Sequence, residues 1–444
     1  MKSPNIERVF HCARAHQATA STLPTILVYF SCFKSEVMDP NNNIQKTIEI
    51  DTESVAPVLT LGNLFKQDLK NANILSAYPT SFVQNYRFLN DKKYRIFDLS
   101  KEEKKNNPFL YLYPGRICPV AGDEFPILMD KQPSESLIQH WKQWLPDFPE
   151  PNFKTVDEGM DDADPIITIF PMQKIPEEKH AVEPDMHYHI LLKSAIPETG
   201  APCPKHFSAD DAVFPCMVKV DQSLSGYGNY VVYNQEQLDD ALQIIKDKFG
   251  KIAPYVITEF VENVTDTFGS QFYLTKSGEI QWLGTNVNLL KDYDWVGSVV
   301  DWDVQEDHKN RVYEDFVIPV AEYLHSQGYF GIAGIDVITS PSGDYLVDLN
   351  PRLTGFTPHA LIAPYMAKEG LTKSLFKAAD PHDCTTEELL KRANFINEQS
   401  EGRIVVLFSM DVEEGCIAAI VAFGESVSYV ESLFDCLSCE KLVK

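Results

Sequence analysis

The stretch 328–356, GYFGIAGIDVITSPSGDYLVDLNPRLTGF, constrains this chain more than any other. Two β-prone runs, 332–339 and 344–349, flank the turn signal Pro341-Ser342-Gly343-Asp344, so the segment reads as an antiparallel hairpin. In the direct register, Asp336 on the first strand and Asp348 and Asn350 on the second aim oxygen atoms from one face at a shared point. Hard oxygen ligands so arranged suit magnesium, which takes one or two protein carboxylates and completes its octahedron with phosphate and water. Arg352 follows on the same face, where a planar cation can hold a phosphate or an acyl-phosphate oxygen. Read in isolation, the same residues also describe the solvated face of an ordinary hairpin, with Asn350-Pro351 opening a turn.

The neighbouring sequence gives that hairpin company. Residues 214–233, FPCMVKVDQSLSGYGNYVVY, read as strand, glycine-containing loop and strand. A helix follows, with Asn234 as N-cap, Leu238, Ala241, Leu242, Ile245 and Phe249 at helical spacing, and Gly250 as its stop. Residues 255–262 predict a strand, 270–290 a hairpin, and 308–327 a helix kinked by Pro319 and ended by Gly328. The region 188–195 looks helical. After 376 the pattern gives a helix at 385–399, a strand at 403–412 and a last helix at 429–437. From 48 to 170, short apolar runs among many prolines suggest a separate α/β unit, with an exposed linker at 146–164.

Bulk properties narrow the function classes. At 444 residues there is room for about three structural units. With 44% apolar and 23% charged residues the chain is an ordinary globular one, neither disordered nor membrane-embedded. A net charge of −25 repels polyanions and excludes nucleic acid as the main partner. A nucleotide remains admissible, because a few lysines, backbone N–H groups and a magnesium ion make a local positive pocket. The nine cysteines are scattered, and the single Cys436/Cys439 pair lacks the second pair that zinc requires, so they are read as packing thiols in a reducing compartment. The apolar run 23–33 is too short to span a bilayer and too far along for a secretory signal, so it is read as a strand after a short arm, and the cytoplasm as the location. His180, His187 and His189 could supply an HxH metal pair, but no further ligands accompany them, and solvated or phosphate-near histidines are the preferred reading.

Taken together, the motifs resemble those of the ATP-grasp superfamily. Its closing pattern of an acidic strand residue, a turn, and then acidic-x-Asn-Pro-Arg is matched by Gly334-Ile335-Asp336-Val337 and by Asp348-Leu349-Asn350-Pro351-Arg352, followed by Thr354-Gly355. Its strand lysine before a mobile glycine loop is matched by Lys219 and Ser225-Gly226-Tyr227-Gly228, and its adenine hinge by Glu259-Phe260-Val261-Glu262. Asp348 stands where the family often has Glu. The family's earlier phosphate lysine has three candidate replacements here, His187, His189 and Lys193. The competing nucleotide motifs are missing: Gly250-Lys251 is followed by Ile252 rather than Ser or Thr, GYGNYV lacks the third glycine of a dinucleotide fingerprint, and Lys219 precedes its glycine loop, unlike the kinase order.

The resemblance implies an α/β fold in which two α/β subdomains clasp ATP, preceded by an N-terminal α/β domain. The expected divisions are an arm (1–45), a pre-ATP-grasp α/β domain (46–175), a small lid subdomain (176–263), a central subdomain with the magnesium site (264–375) and a C-terminal α/β extension (376–444). Lys219 would contact phosphates, Ser225 to Gly228 would close over them, and Glu259 to Glu262 would read adenine and ribose. Asp336, Asp348 and Asn350 would hold Mg2+, or Mn2+ in its place, while Lys219 and Arg352 neutralise charge during transfer. The implied reaction activates a carboxylate as an acyl phosphate and joins it to an amine. A kinase that stops at phosphorylation and a non-catalytic nucleotide-binding protein are the alternatives. The expected partners are a small carboxylic acid and an amine, with no nucleic acid and no membrane; a homodimer is left open.

Overall fold

The computed structural model describes residues 58–76, 86–88, 94–96, 107–172, 175–222, 228–249, 254–291 and 294–438. The strand expected at 23–33, the loop residues 225–227, the helix stop at 250 and Cys439 lie outside the described residues. All described residues belong to one compact unit, 57–444. The architecture is mixed α/β: among the described residues there are a four-stranded parallel sheet, a four-stranded and an eight-stranded antiparallel sheet, and a two-stranded antiparallel ribbon, Tyr86–Phe88 with Tyr94–Ile96.

The first sheet consists of β1 (Asn73–Leu75), β2 (Ile127–Leu128), β3 (Phe153–Lys154) and β4 (Ile166–Ile167), parallel in the order β3-β2-β1-β4. Its strands are short and mostly buried, as in a parallel sheet covered on both faces. Helices Leu61–Lys66, Glu135–Trp144 and Val156–Asp161 accompany it, and each begins where Thr60, Ser134 or Thr155 accepts a hydrogen bond from the main-chain N–H three residues on.

The second sheet comprises β5 (His206–Phe207), β6 (Cys216–Val220), β7 (Asn229–Val232) and β8 (Tyr255–Glu259), antiparallel in the order β5-β8-β6-β7. The helix Gln235–Phe249 lies on one face, with Leu238, Ala241 and Ile245 packed on Cys216, Val218, Val220 and Val232. Asn234 caps that helix by accepting from Gln237 N at 3.0 Å. Because strand side chains alternate, Met217 and Lys219 face the opposite way, into a cavity.

The chain then enters an eight-stranded antiparallel sheet. Its strands are β9 (Asp266–Leu274), β10 (Ile280–Lys291), β11 (Asp294–Asp301), β12 (Gly331–Ser340), β13 (Gly343–Asn350), β14 (Lys373–His382), β15 (Arg403–Val412) and β16 (Gly415–Gly424). Their order is β13-β12-β9-β10-β11-β14-β16-β15. The expected hairpin is thus β12–β13, at one edge. The C-terminal strands continue the same sheet through the pairing of β11 with β14. The expected helix 308–327 is divided into Gln305–Val312, a π-type turn Tyr313–Val317, and Ile318–Ser326 with Pro319 in its first turn, where a missing N–H is tolerated. The expected helix 188–195 is instead Pro184–Ile190, interrupted at the extended Leu192 and followed by a 3-10 segment, Lys193–Thr199. Among the described residues no helix is long and apolar enough to cross a membrane.

The outer strand β15 would expose main-chain groups if left bare. Side chains from two helices cover it. Val406 N donates to His140 Nε2 at 3.0 Å and Val406 O accepts from Trp141 Nε1 at 2.8 Å. Asn397, on the helix Thr386–Gln399, accepts from Ile404 N at 2.7 Å and donates to Ile404 O at 2.8 Å. The Asn397→Ala variant leaves two buried main-chain groups without partners, and chemical denaturation should register a loss of about 2–4 kcal/mol. Burial holds the His140 imidazole neutral, with a pKa lowered to about 4 although its bond to Asn394 opposes the shift. The unfolded chain therefore takes up this proton first, and its contribution to stability, complete above pH ~6.5, is lost as pH falls toward 4. Comparing urea midpoints at pH 7 and pH 4.5 for wild type and His140→Gln should show a smaller pH dependence in the variant.

Candidate functional site

A cavity of about 1110 Å³ lies between the second sheet and the β13-β12-β9-β10-β11 half of the third. Its floor is a row of residues in register across four strands: Asp348 on β13, Asp336 on β12, Gly269 on β9 and Asn286 on β10. Gly269 is required by close approach, because a Cβ there would fall 2.6 Å from Asn286 Oδ1. The gap lets Asn288 Nδ2 reach past β9 to Asp336 Oδ1 at 2.8 Å. On β13 the register slips so that Val347 is an extra residue, and its carbonyl accepts from Lys219 Nζ at 3.4 Å.

Lys193 stands beside Lys219, with Nζ 3.0 Å from Asp348 Oδ1. It is held there by the end of β6: Asp221 O accepts from Lys193 N at 2.8 Å, and the Asp221 carboxylate accepts from Ser194 N at 2.7 Å and Ser194 Oγ at 2.8 Å. Asn350 Nδ2 donates to Asp336 Oδ2 at 3.2 Å and, more weakly, to Asp348 Oδ2 at 3.5 Å. Asn350 Oδ1 accepts from Arg352 Nη2. Arg352 Nη1 donates to Leu353 O at 3.2 Å, and the guanidinium lies over the Phe170 ring at 5.3 Å.

The electrostatics follow from this packing. Burial, and then the Asp348 charge, raise the pKa of Asp336. Burial opposes charge on Asp348 too, but Lys193, with Lys219 and Arg352 beyond it, holds that carboxyl below its usual value. Burial and the Lys193 charge lower Lys219 to about 8, against the pull of both aspartates. The donor set fits a magnesium ion. Two carboxylates face each other at a spacing where a divalent cation would relieve their repulsion, and the Asn350 amide hydrogens now point between them. Turning that amide over would present its oxygen instead and would give up the bond from Arg352 Nη2. Among the described residues no group of three or more His, Cys, Asp or Glu side chains could hold a metal.

The structure brings together Lys219, Glu259, Phe260, Val261, Glu262, Asp336, Asp348, Asn350 and Arg352, all lining one cavity. Ser225, Gly226 and Tyr227 lie outside the described residues; Gly228 has a φ of 83°, and its carbonyl accepts from Val220 N at 3.1 Å. Of the three candidates for the earlier phosphate contact, only Lys193 is in the cavity. His187 is buried, with Nε2 2.9 Å from Pro351 O, and burial lowers its pKa to about 4. It buttresses the end of the hairpin. His189 is exposed, and His180 Nε2 accepts from Met172 N at 3.2 Å, so the three histidines form no metal set. Sequence reading did not find Arg116, Gln271, Asn286, Asn288 or Trp295 in the cavity wall. The alternation of Asn286 and Asn288 in an otherwise apolar strand was a readable signal of a polar inner face; Arg116, in a proline-rich stretch, carried none.

Residues 204–350 match the family described as "L-aspartate--L-methionine ligase, ATP grasp". A stretch of 148 residues is 26% identical to the formate-dependent phosphoribosylglycinamide formyltransferase of Sulfurisphaera tokodaii, over 32% of this chain and 36% of that enzyme, so the chain matches about a third of its curated relative's length. Distant likenesses among solved structures include N5-carboxyaminoimidazole synthetase from Staphylococcus aureus in complex with ADP (TM-score 0.47, 12% identity, 73% of this chain and 94% of that one). Another is biotin carboxylase from Campylobacter jejuni (TM-score 0.40, 12% identity, 54% and 63%). The matched segment, similar to an ATP-grasp ligase family, runs from the second sheet to Asn350 at the end of β13.

Proposed function

We propose that this protein is an ATP-dependent ligase that activates a carboxylate as an acyl phosphate, with release of ADP, and joins it to an amine with release of phosphate. The observation that carries the reading is the facing pair Asp336 and Asp348, set against Lys193 and Lys219 in one cavity. The adenine would lie against residues 260–262, where the chain crosses from β8 to β9, with Glu259 and Glu262 near its amino group and ribose. Lys193 and Lys219 would contact the phosphates, and Ser225 to Gly228 would cover them and keep water from the acyl phosphate. Asp336, Asp348 and Asn350 would hold magnesium, with manganese as a substitute. The metal would neutralise phosphate charge. Arg352, fixed by Asn350 and Phe170, would steady the transferred phosphoryl group or the acyl oxygen. No side-chain nucleophile is needed, because positioning and charge supply the acceleration.

The name of the matched family describes joining two amino acids, and amino acids are the first acids and amines to try. A cytoplasmic location suits such an enzyme.

Mass spectrometry of reactions containing Mg-ATP, pooled carboxylic acids and pooled amines should find ADP and a condensed product only when both pools are present. The Asp336→Asn variant should lower that rate on the order of 100-fold or more, as expected for loss of a metal ligand worth several kcal/mol. ADP formation with the acids alone would indicate a kinase; AMP with pyrophosphate would exclude both. Lys219 sets a pH dependence of nucleotide affinity. Its charged form binds phosphate, and in the free protein that form is lost above about pH 8. Calorimetric affinity for Mg-ATP should therefore weaken between pH 8 and 9.5, by up to about tenfold per unit. The Lys219→Arg variant, charged throughout, should show a flatter profile.

A further inference from the structure

Four cations line the cavity: Lys193, Lys219, Arg352 and Arg116. The first three have oxygen partners, in Asp348, Val347 O and the Asn350 and Leu353 oxygens. Arg116 differs: the residue is 4% exposed, and among the described residues neither its Nε nor its Nη1 has a hydrogen-bond partner. It is held instead by aromatic faces, with the guanidinium carbon 5.2 Å from the Tyr113 ring centre, 5.6 Å from Trp295 and 6.0 Å from Phe376. Those rings fix its position and offset part of its desolvation, but they leave the planar donor edge unmatched. Gly355 packs beside it: a Cβ there would lie 3.0 Å from Nη2 and 2.4 Å from the Trp295 ring, so only glycine fits against this arginine–tryptophan pair.

This cage is coupled to the carboxylate row. Trp295 Nε1 donates to Asn288 Oδ1 at 3.1 Å, and the same Asn288 donates to Asp336. Between them, Asn286 Oδ1 and Gln271 Oε1 are buried acceptors without donors among the described residues, and both residues line the cavity. Unmatched guanidinium N–H groups and unmatched amide oxygens lining one cavity are complementary to a carboxylate and an ammonium.

We propose that Arg116 is a specificity-determining residue that binds a carboxylate which does not react, on an amino-acid substrate of the ligase reading above, on which this inference rests. The anchored group is either the second carboxylate of the acid being activated or the carboxylate of the attacking amine. Three strand spacings, roughly 14 Å, separate β12 from β11, a reach that keeps this anchor apart from the phosphoryl-transfer end while sharing its cavity.

The test is calorimetric binding of each of the twenty amino acids and of succinate to the full chain, in the presence of magnesium and a non-hydrolysable ATP analogue. It compares wild type, Arg116→Gln and Arg116→Lys. At least one amino acid should bind wild type, lose roughly 30-fold or more in affinity in Arg116→Gln, and bind poorly as its α-amide. Arg116→Lys should recover part of the loss, since it keeps the charge without the fork. If the ligand is a dicarboxylate, the anchor serves the activated acid; if a monocarboxylate, it serves the attacking amine. A cooperative unfolding transition checks that each variant folds, and should Arg116→Gln fail to fold, a tenfold or greater loss in Arg116→Lys carries the test. Equal binding by wild type and variants, or no binding of any amino acid to wild type, overturns the proposal. ADP release is not involved in this measurement, so failure of the ligase reading would appear separately.

Discussion

Two carboxylates, Asp336 and Asp348, face each other across neighbouring strands inside a cavity, and much of the surrounding structure serves to make that arrangement tolerable. At the usual cross-strand separation and an effective dielectric of about 20, two such charges repel by roughly 3 kcal/mol. The relief is unequal. Lys193 pairs with Asp348 and holds it charged, while Asp336 accepts from two amides, Asn288 and Asn350, and keeps a raised affinity for a proton. A site balanced in this way is prepared for a cation: it is neither neutralised by its own lysines nor left with two bare anions.

The supports of that balance come from distant parts of the chain. Lys193 arrives from a 3-10 segment tied to the end of β6 by Asp221, and Lys219 lies within β6 itself. The second sheet and the segment tied to it therefore contribute the two ammonium groups, and the third sheet both carboxylates. They meet on the two sides of the crossing at residues 260–265, where Asn263 has a φ of 55°. A ligand filling the cavity would bridge the sheets through opposite charges. Any change in the angle between the sheets would move the two lysines relative to the two carboxylates.

How much of this was legible depended on the range of the information. The β12–β13 hairpin was readable because its turn, its period-two pattern and its oxygen side chains all lie within 29 residues of sequence. The strand positions of Lys219 and of residues 255–259 were readable for the same reason. Lys193 could not be separated from His187 and His189, since all three fall within one turn or two of an apparently continuous helix; only the break at Leu192 turns Lys193 inward and leaves His189 outside. The strands β11, β14 and β16 carried weaker signals: β14 contains Pro381 and several charges, and β16 is an almost continuous apolar run without alternation. Both patterns are resolved only by neighbours far along the chain.

Arg116 is the extreme case of this dependence. Nothing local marks it, because its environment is assembled from Tyr113 beside it, Trp295 on β11, Phe376 on β14 and Gly355 after the hairpin. The helix Phe109–Gly115 that leads into Arg116 packs on β15 and β16, with Gly115 against the Phe408 ring, and the helix Glu135–Trp144 adds hydrogen bonds to the main chain of β15 through His140 and Trp141. The same contacts that protect the sheet's outer edge thus help determine where a lone guanidinium enters the cavity. The C-terminal strand β14, although remote from the carboxylates, adds Ala378 to the cavity wall and Phe376 to the arginine's surroundings, so the two ends of the cavity are built by different parts of the chain.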